Sequence, residues 1–144
     1  MSTLYVMCGC PGSGKSTYAK EHFPKAVYAC ADDVRECLYG NAAIQGNPKE
    51  VFEVMGEGVK AFLAAGQDVV YDTTAVTSKL RRQIIKKFNV PTVCIFMNTP
   101  VEECKKRNAA RSRVVPEEVI DRMARKLTVP TLEEGFSEIK IINT

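Results

Sequence analysis

The chain has 144 residues, 45% of them hydrophobic, with 20 Lys and Arg against 17 Asp and Glu and a formal net charge of +3. That length suits one domain with a single good core, and the near-balanced charge excludes a protein that coats polyanions over its whole surface. No stretch approaches a membrane span and no signal peptide precedes the first apolar run, so a cytoplasmic protein without membrane contact is expected. The first element is the apolar run Leu4–Cys8, a buried strand, followed after a glycine-rich turn by a short helix over 15–23. A second strand over 26–30 leads into a helix over 32–39. Gly46-Asn47-Pro48 then starts a helix, with Asn47 as cap, Pro48 at the first position and Glu50 in the first turn. Val51, Met55, Val59, Phe62 and Leu63 fall on its apolar face, and Gly66 ends it. A third strand over 68–72 precedes an amphipathic helix over 77–88, apolar through Leu80, Ile84, Ile85 and Phe88. The almost purely apolar run 92–97 is a fourth strand of the kind that parallel sheets bury on both faces. Thr99-Pro100-Val101-Glu102 reads as a capping box opening another helix, Val115-Pro116-Glu117-Glu118 opens the next, and 138–142 is a fifth strand. Strands and helices alternating in this way predict one α/β domain over 1–144 with a parallel sheet and helices on both faces.

The turn between the first strand and helix is the most informative segment. Gly9-Cys10-Pro11-Gly12-Ser13-Gly14-Lys15-Ser16 fits the phosphate-loop pattern G-x-x-x-x-G-K-[ST] at every fixed position, with Thr17 next, in the strand–loop–helix context the pattern needs. Its glycines let successive N–H groups point at one anion, and the helix dipole adds to the same spot. Lys15 can reach the β- and γ-phosphates and the Ser16 hydroxyl can ligate Mg²⁺, which predicts binding of ATP or a similar triphosphate. Six cysteines at 8, 10, 30, 37, 94 and 104 form no C-x-x-C pair and read as reduced, mostly buried small hydrophobes. His22 is the only histidine, so schemes built on a histidine base have almost no material.

In open α/β sheets, ligands collect beyond the carboxyl ends of the strands, and three further clusters fall there. Asp72, followed by Thr73 and Thr74, ends the third strand and is a candidate second anchor for Mg²⁺; a loop-start aspartate or a helix cap is the plainer reading. Strand two delivers Asp32, Asp33 and Arg35. Either aspartate could cap the helix, and two exceed what capping needs, so one is a candidate base for an attacking hydroxyl. Arg35, one turn on, could hold an anionic acceptor. The third cluster is basic, 105–113, where Arg107 and Arg111 at i, i+4 are expected on one helix face as stabilisers of a transferring phosphoryl group; a solvated basic face is the alternative. For Lys79, Arg81, Arg82, Lys86 and Lys87 the solvated face is the favoured reading.

Together these residues resemble the polynucleotide 5′-hydroxyl kinase family. The stretch from Gly9 to Thr17, GCPGSGKST, is similar to the loop of the phage enzymes, and Asp32-Asp33-Val34-Arg35 to their D-D-x-R acceptor motif. Lys106-Arg107-Asn108 with Arg111, then Val115-Pro116, resembles their lid and the helix after it, here about 104–116. The tail 130–139, PTLEEGFSEI, resembles the segment closing the kinase domain in animal polynucleotide kinases. The resemblance implies a P-loop kinase fold with a five-stranded sheet of order 2-3-1-4-5. It further implies transfer of the γ-phosphate of ATP to the 5′-hydroxyl of a single-stranded nucleic acid end. On that pattern Lys15 and Ser16 bind the donor phosphates and Mg²⁺, Asp32 is the general base, and Arg35 grips the acceptor phosphate. Arg111, with Arg107, stabilises the transferring group. Asp72, Thr73 and Thr74 match the start of the family's D-x-T-N, but Ala75 stands in place of the asparagine. The same residues also suit a small-molecule kinase acting on a sugar, an antibiotic or a sugar nucleotide. A nucleotide-dependent switch is the third reading, though Asp32 has no evident task in one.

Overall fold

Five short apolar stretches pair in parallel into one sheet of order β2-β3-β1-β4-β5. They are β1 (Leu4–Cys8), β2 (Val27–Cys30), β3 (Val69–Asp72), β4 (Thr92–Asn98) and β5 (Glu138–Asn143). This is a computed structural model that describes residues 2–111 and 114–144; Ser112 and Arg113 of the expected lid lie outside the described residues. The central strands are fully covered, which is why β1 and β4 read as unbroken apolar runs. The edge strands are only half covered, and β5 carries Glu138 and Lys140 on its exposed positions, a pattern that discourages pairing with other chains.

The helices are α1 (Lys15–His22), α2 (Ala31–Tyr39), α3 (Pro48–Ala64), α4 (Ser78–Phe88), α5 (Val101–Ala109) and α6 (Glu117–Lys126), with a 3-10 turn at Leu132–Glu134. Met55, Val59 and Leu63 of α3 and Phe88 of α4 pack on Leu4, Val6, Val69, Tyr71 and Phe96. Ala19 and Tyr18 of α1 pack on Met7, Val70, Val93 and Ile95, whose side chains point to the opposite face. Helices therefore cover both faces, as expected. A third, smaller core joins Cys10 of the glycine-rich turn to Cys104 of α5 and Ile120 of α6, so α5 and α6 sit against that turn. Among the described residues no helix is long and apolar enough to cross a membrane. The cysteines are all free, with Cys37 exposed and Cys30 half-buried.

Local signals set the helix ends with some corrections. Asn47 caps α3 through a bond from the Lys49 amide at 3.1 Å, a contact worth about 1 kcal/mol. Phe62 is 46% exposed rather than in the core, because the buried stripe of α3 is Val51, Met55, Val59 and Leu63. Leu80 is likewise exposed and the residue after it is buried. The box expected at Thr99 does not form: Pro100 precedes α5 without a side-chain cap, and the Thr99 hydroxyl donates to the Ser13 carbonyl at 2.9 Å. Nor does either aspartate cap α2, which starts at Ala31 with Cys30 before it and both acids in its first turn.

Arg81 departs furthest from expectation. It belongs to no solvated basic face: its exposure is 0%. Its guanidinium makes a two-pronged pair with Glu134, Nε to Oε1 at 2.6 Å and Nη2 to Oε2 at 3.0 Å. The other donors reach the Ala75 carbonyl at 3.0 Å and the Thr128 hydroxyl at 2.9 Å. Burial alone would raise the Glu134 pKa, but the hydrogen bond and charge of Arg81 outweigh it and hold the carboxyl below its ordinary range. The loop after β3, where Ala75 adopts a left-handed φ of 38°, is thus fastened from behind.

Candidate active site

The turn between β1 and α1 leaves the carboxyl end of the central strand and folds under α5. Gly12 has a φ of 83°, and a Cβ there would lie 2.2 Å from the Cys104 carbonyl oxygen, so only glycine fits under the helix. Lys15 folds back over the turn, donating to the Gly9 and Cys10 carbonyls at 3.0 Å each. Burial pushes its ammonium below the usual lysine range, with the Asp72 carboxylate pulling the other way. Ser13 is 1% exposed and, among the described residues, its hydroxyl is the buried side-chain polar atom with no partner. An orphan hydroxyl beside a lysine, at the positive end of α1, fits the phosphates of a nucleotide. Gly12→Ala should therefore lower ADP affinity at least tenfold in calorimetric titration: the left-handed backbone costs about 1–2 kcal/mol and the clash must shift α5. Gly40→Ala, at a φ of 76° with nothing within 4 Å, is the control that should leave affinity unchanged.

Register brings the acids together. Cys30 of β2 lies opposite Asp72 of β3, so α2 starts just past the row in which Asp72 ends its strand. Asp32, half-buried in the first turn of α2, pairs with Arg35 Nη1 at 3.0 Å. Asp33 is exposed. Asp72 accepts a hydrogen bond from the phenol of Tyr28, a residue sequence reasoning passed over. Burial, then the neighbouring carboxylate, pushes the Tyr28 hydroxyl well above its usual range, while the Ser16 hydroxyl on the same phenol pulls it down. Tyr28 thus ties β2 to the Asp72 carboxylate of β3, while Ser16 stands in the first turn of α1. Among the described residues no three His, Cys, Asp or Glu side chains cluster as a metal cage. One hydroxyl and one carboxylate suit Mg²⁺, which keeps waters and takes its other ligands from phosphates. Thr73 and Thr74 follow on the same edge, and the Thr74 carbonyl accepts from the Gly9 amide at 3.1 Å.

The arginines arrive differently from the expectation of one helix face. α5 ends at Ala109, so Arg111 lies past the helix, exposed, with its amide on the Asn108 carbonyl at 3.1 Å. Its charge is still among those that lower the Lys15 pKa, so it stands near the turn. Arg107 remains on α5, bonded to Glu103 at 3.2 Å, and its Nη1 reaches the Ser13 carbonyl at 3.3 Å and lies over Gly14. Asn108, buried, grips both polar backbone groups of Val115, the N–H at 3.0 Å and the carbonyl at 2.7 Å, and closes the base of the loop between α5 and α6. The roles of Thr99 on Ser13, 86 residues away, and of Asn108 on Val115 were not foreseen, since Thr99 reads as a cap and Asn108 only as part of a lid resemblance.

The fold is that of a P-loop kinase. Its likeness to a chain of the Pnkp1/Rnl/Hen1 RNA repair complex has a TM-score of 0.79 at 21% identity, over 88% of this chain and 44% of that one. In sequence it is 28% identical to the L-seryl-tRNA(Sec) kinase of Methanococcus maripaludis over 142 residues, 88% of this chain and 53% of that protein. It is 24% identical to the bifunctional polynucleotide phosphatase/kinase of Schizosaccharomyces pombe over 95% of this chain and 32% of that protein. The chain spans about half of the archaeal relative and a third of the yeast one. The AAA domain family model matches residues 4–130, nearly the whole chain. This chain belongs to that AAA domain family of P-loop kinases.

Proposed function

We propose that the chain is an ATP- and Mg²⁺-dependent kinase that phosphorylates a polynucleotide 5′-hydroxyl. The observation that carries this reading is the Asp32–Arg35 pair, an acid and a guanidinium at 3.0 Å on one helical turn at the strand edge that also holds Asp72. A base alone serves any alcohol. A base beside a guanidinium suits an alcohol with a phosphate attached nearby. On this reading Arg35 turns from Asp32 to the acceptor's first internucleotide phosphate, and Asp32 takes the proton of the 5′-hydroxyl. The freed oxygen attacks the γ-phosphorus, and the bond from phosphorus to the bridging oxygen breaks, its electron pair leaving with ADP. Ser16 and Asp72 would hold a Mg²⁺ ion, which would supply charge neutralisation to the donor phosphates. Lys15, Arg107 and Arg111 stabilise the charge that spreads over the transferring group. Residues 104–116 act as a lid in a single catalytic domain.

The test is transfer of label from γ-labelled ATP to a single-stranded oligonucleotide with a 5′-hydroxyl, and none to its 5′-phosphorylated form. Asp32→Asn should leave ADP affinity within a few-fold while kcat falls about 10² or more. Arg35→Ala should raise the KM for the oligonucleotide with little effect on background ATP hydrolysis. Seryl-tRNA and a hexonate sugar are the comparison acceptors. If either takes phosphate and no oligonucleotide does, the kinase class survives and the polynucleotide acceptor is wrong.

A further inference from the structure

Tyr28 is the junction residue of the site. It stands on β2 opposite Val70, on the sheet face that α1 covers, and its phenol spans from the edge strand to the Asp72 carboxylate on β3. The ring is half-buried against the cluster that holds Met7, Ala19 and Val70, and the Lys20 ammonium lies 5.1 Å from its centroid. The hydrogen bond from this partly packed phenol restricts the rotamers of the carboxylate that accepts it.

We propose that Tyr28 is a positioning residue for the metal: it fixes the Asp72 carboxylate, so that it meets a Mg²⁺ ion brought in with the nucleotide. The inference rests on Ser16 and Asp72 being the metal-side residues. A free carboxylate at the end of a strand samples several rotamers, and only some present an oxygen to the metal or its water. The phenol O–H takes Oδ2 of Asp72 and leaves Oδ1 as the oxygen open to the metal or its water. Outer-shell partners of this kind set metal affinity by about 10–100-fold without touching the ion.

The test is Tyr28→Phe, which removes the hydroxyl and keeps the ring against Lys20 and Val70. Mn²⁺ affinity of the ADP complex, read by electron paramagnetic resonance of free Mn²⁺, should fall about tenfold. Affinity for ADP in the presence of chelator and the thermal midpoint should stay unchanged. Asp72→Asn should weaken Mn²⁺ binding too, and adding Tyr28→Phe to it should bring no further loss, since the hydroxyl acts through the carboxylate. Unchanged or tighter Mn²⁺ binding by Tyr28→Phe, with Asp72→Asn still weakened, overturns the role of Tyr28 alone. Unchanged binding by Asp72→Asn overturns the metal assignment on which it rests.

Discussion

Replacing Arg81 by alanine should lower the unfolding free energy by about 3–5 kcal/mol, the range for breaking one half of a buried ion pair. The Glu134 side chain is 3% exposed, and without Arg81 it is an unpaired buried charge. The Ala75 carbonyl and the Thr128 hydroxyl lose their donor as well. Urea unfolding gives the number, and a loss under about 1 kcal/mol would mean that water replaces the guanidinium. Arg81→Met combined with Glu134→Leu should recover most of the loss, because it removes both charges at similar volume. The pair also sets an acid limit. Glu134 has a folded pKa below its unfolded value of about 4.3, so its contribution is present above that pH and is lost as pH falls through the folded value. Arg81→Ala should reverse that part of the stability profile, since burial alone raises the Glu134 pKa and the unpaired carboxyl is then easier to keep buried once protonated.

Lys15→Ala should reduce phosphate transfer by about 10²–10³, the usual effect of losing one group that stabilises developing charge, roughly 3–4 kcal/mol. No other ammonium reaches the Gly9 and Cys10 carbonyls among the described residues, and Arg107 touches the turn only through the Ser13 carbonyl. The fold should be untouched, since Lys15 packs over a turn that Gly12 and Cys104 seat independently. ADP release per enzyme, measured with circular dichroism of the same sample, is the check. Near-normal turnover by the folded variant would sink the nucleotide reading of this turn.

What could be seen in the sequence follows from how local each cause is. The glycine turn, the strand before it and the Asn47-Pro48 start of α3 act within a few residues, and the elements and their order were readable from them. The resemblance to polynucleotide kinases implied the strand order that the sheet has. Arg81 was misread because a charge run is judged by its neighbours, whereas its partner Glu134 is 53 residues away. Tyr28 was passed over because nothing near it in the chain marks its phenol as the partner of Asp72, 44 residues on. The placing of Arg111 failed for a subtler reason: no glycine or proline marks the end of α5 at Ala109, so a helical spacing was carried one turn too far. Thr99 looked like a cap because its local pattern allows it, and a carbonyl 86 residues earlier took the hydroxyl instead.

Every strand pairing here is parallel, and β1 waits for partners that come late: Leu4 faces Val69 on one side and Thr92 on the other. A ribosome adding about 5–20 residues per second therefore carries the first strand for seconds before any neighbour exists. The 53 residues from Arg81 to Glu134 take about 3–10 s more. Through that interval the nascent chain holds a guanidinium destined for the interior and a row of open apolar edges. The parallel order that builds the site thus also sets how long its first strand goes without a partner.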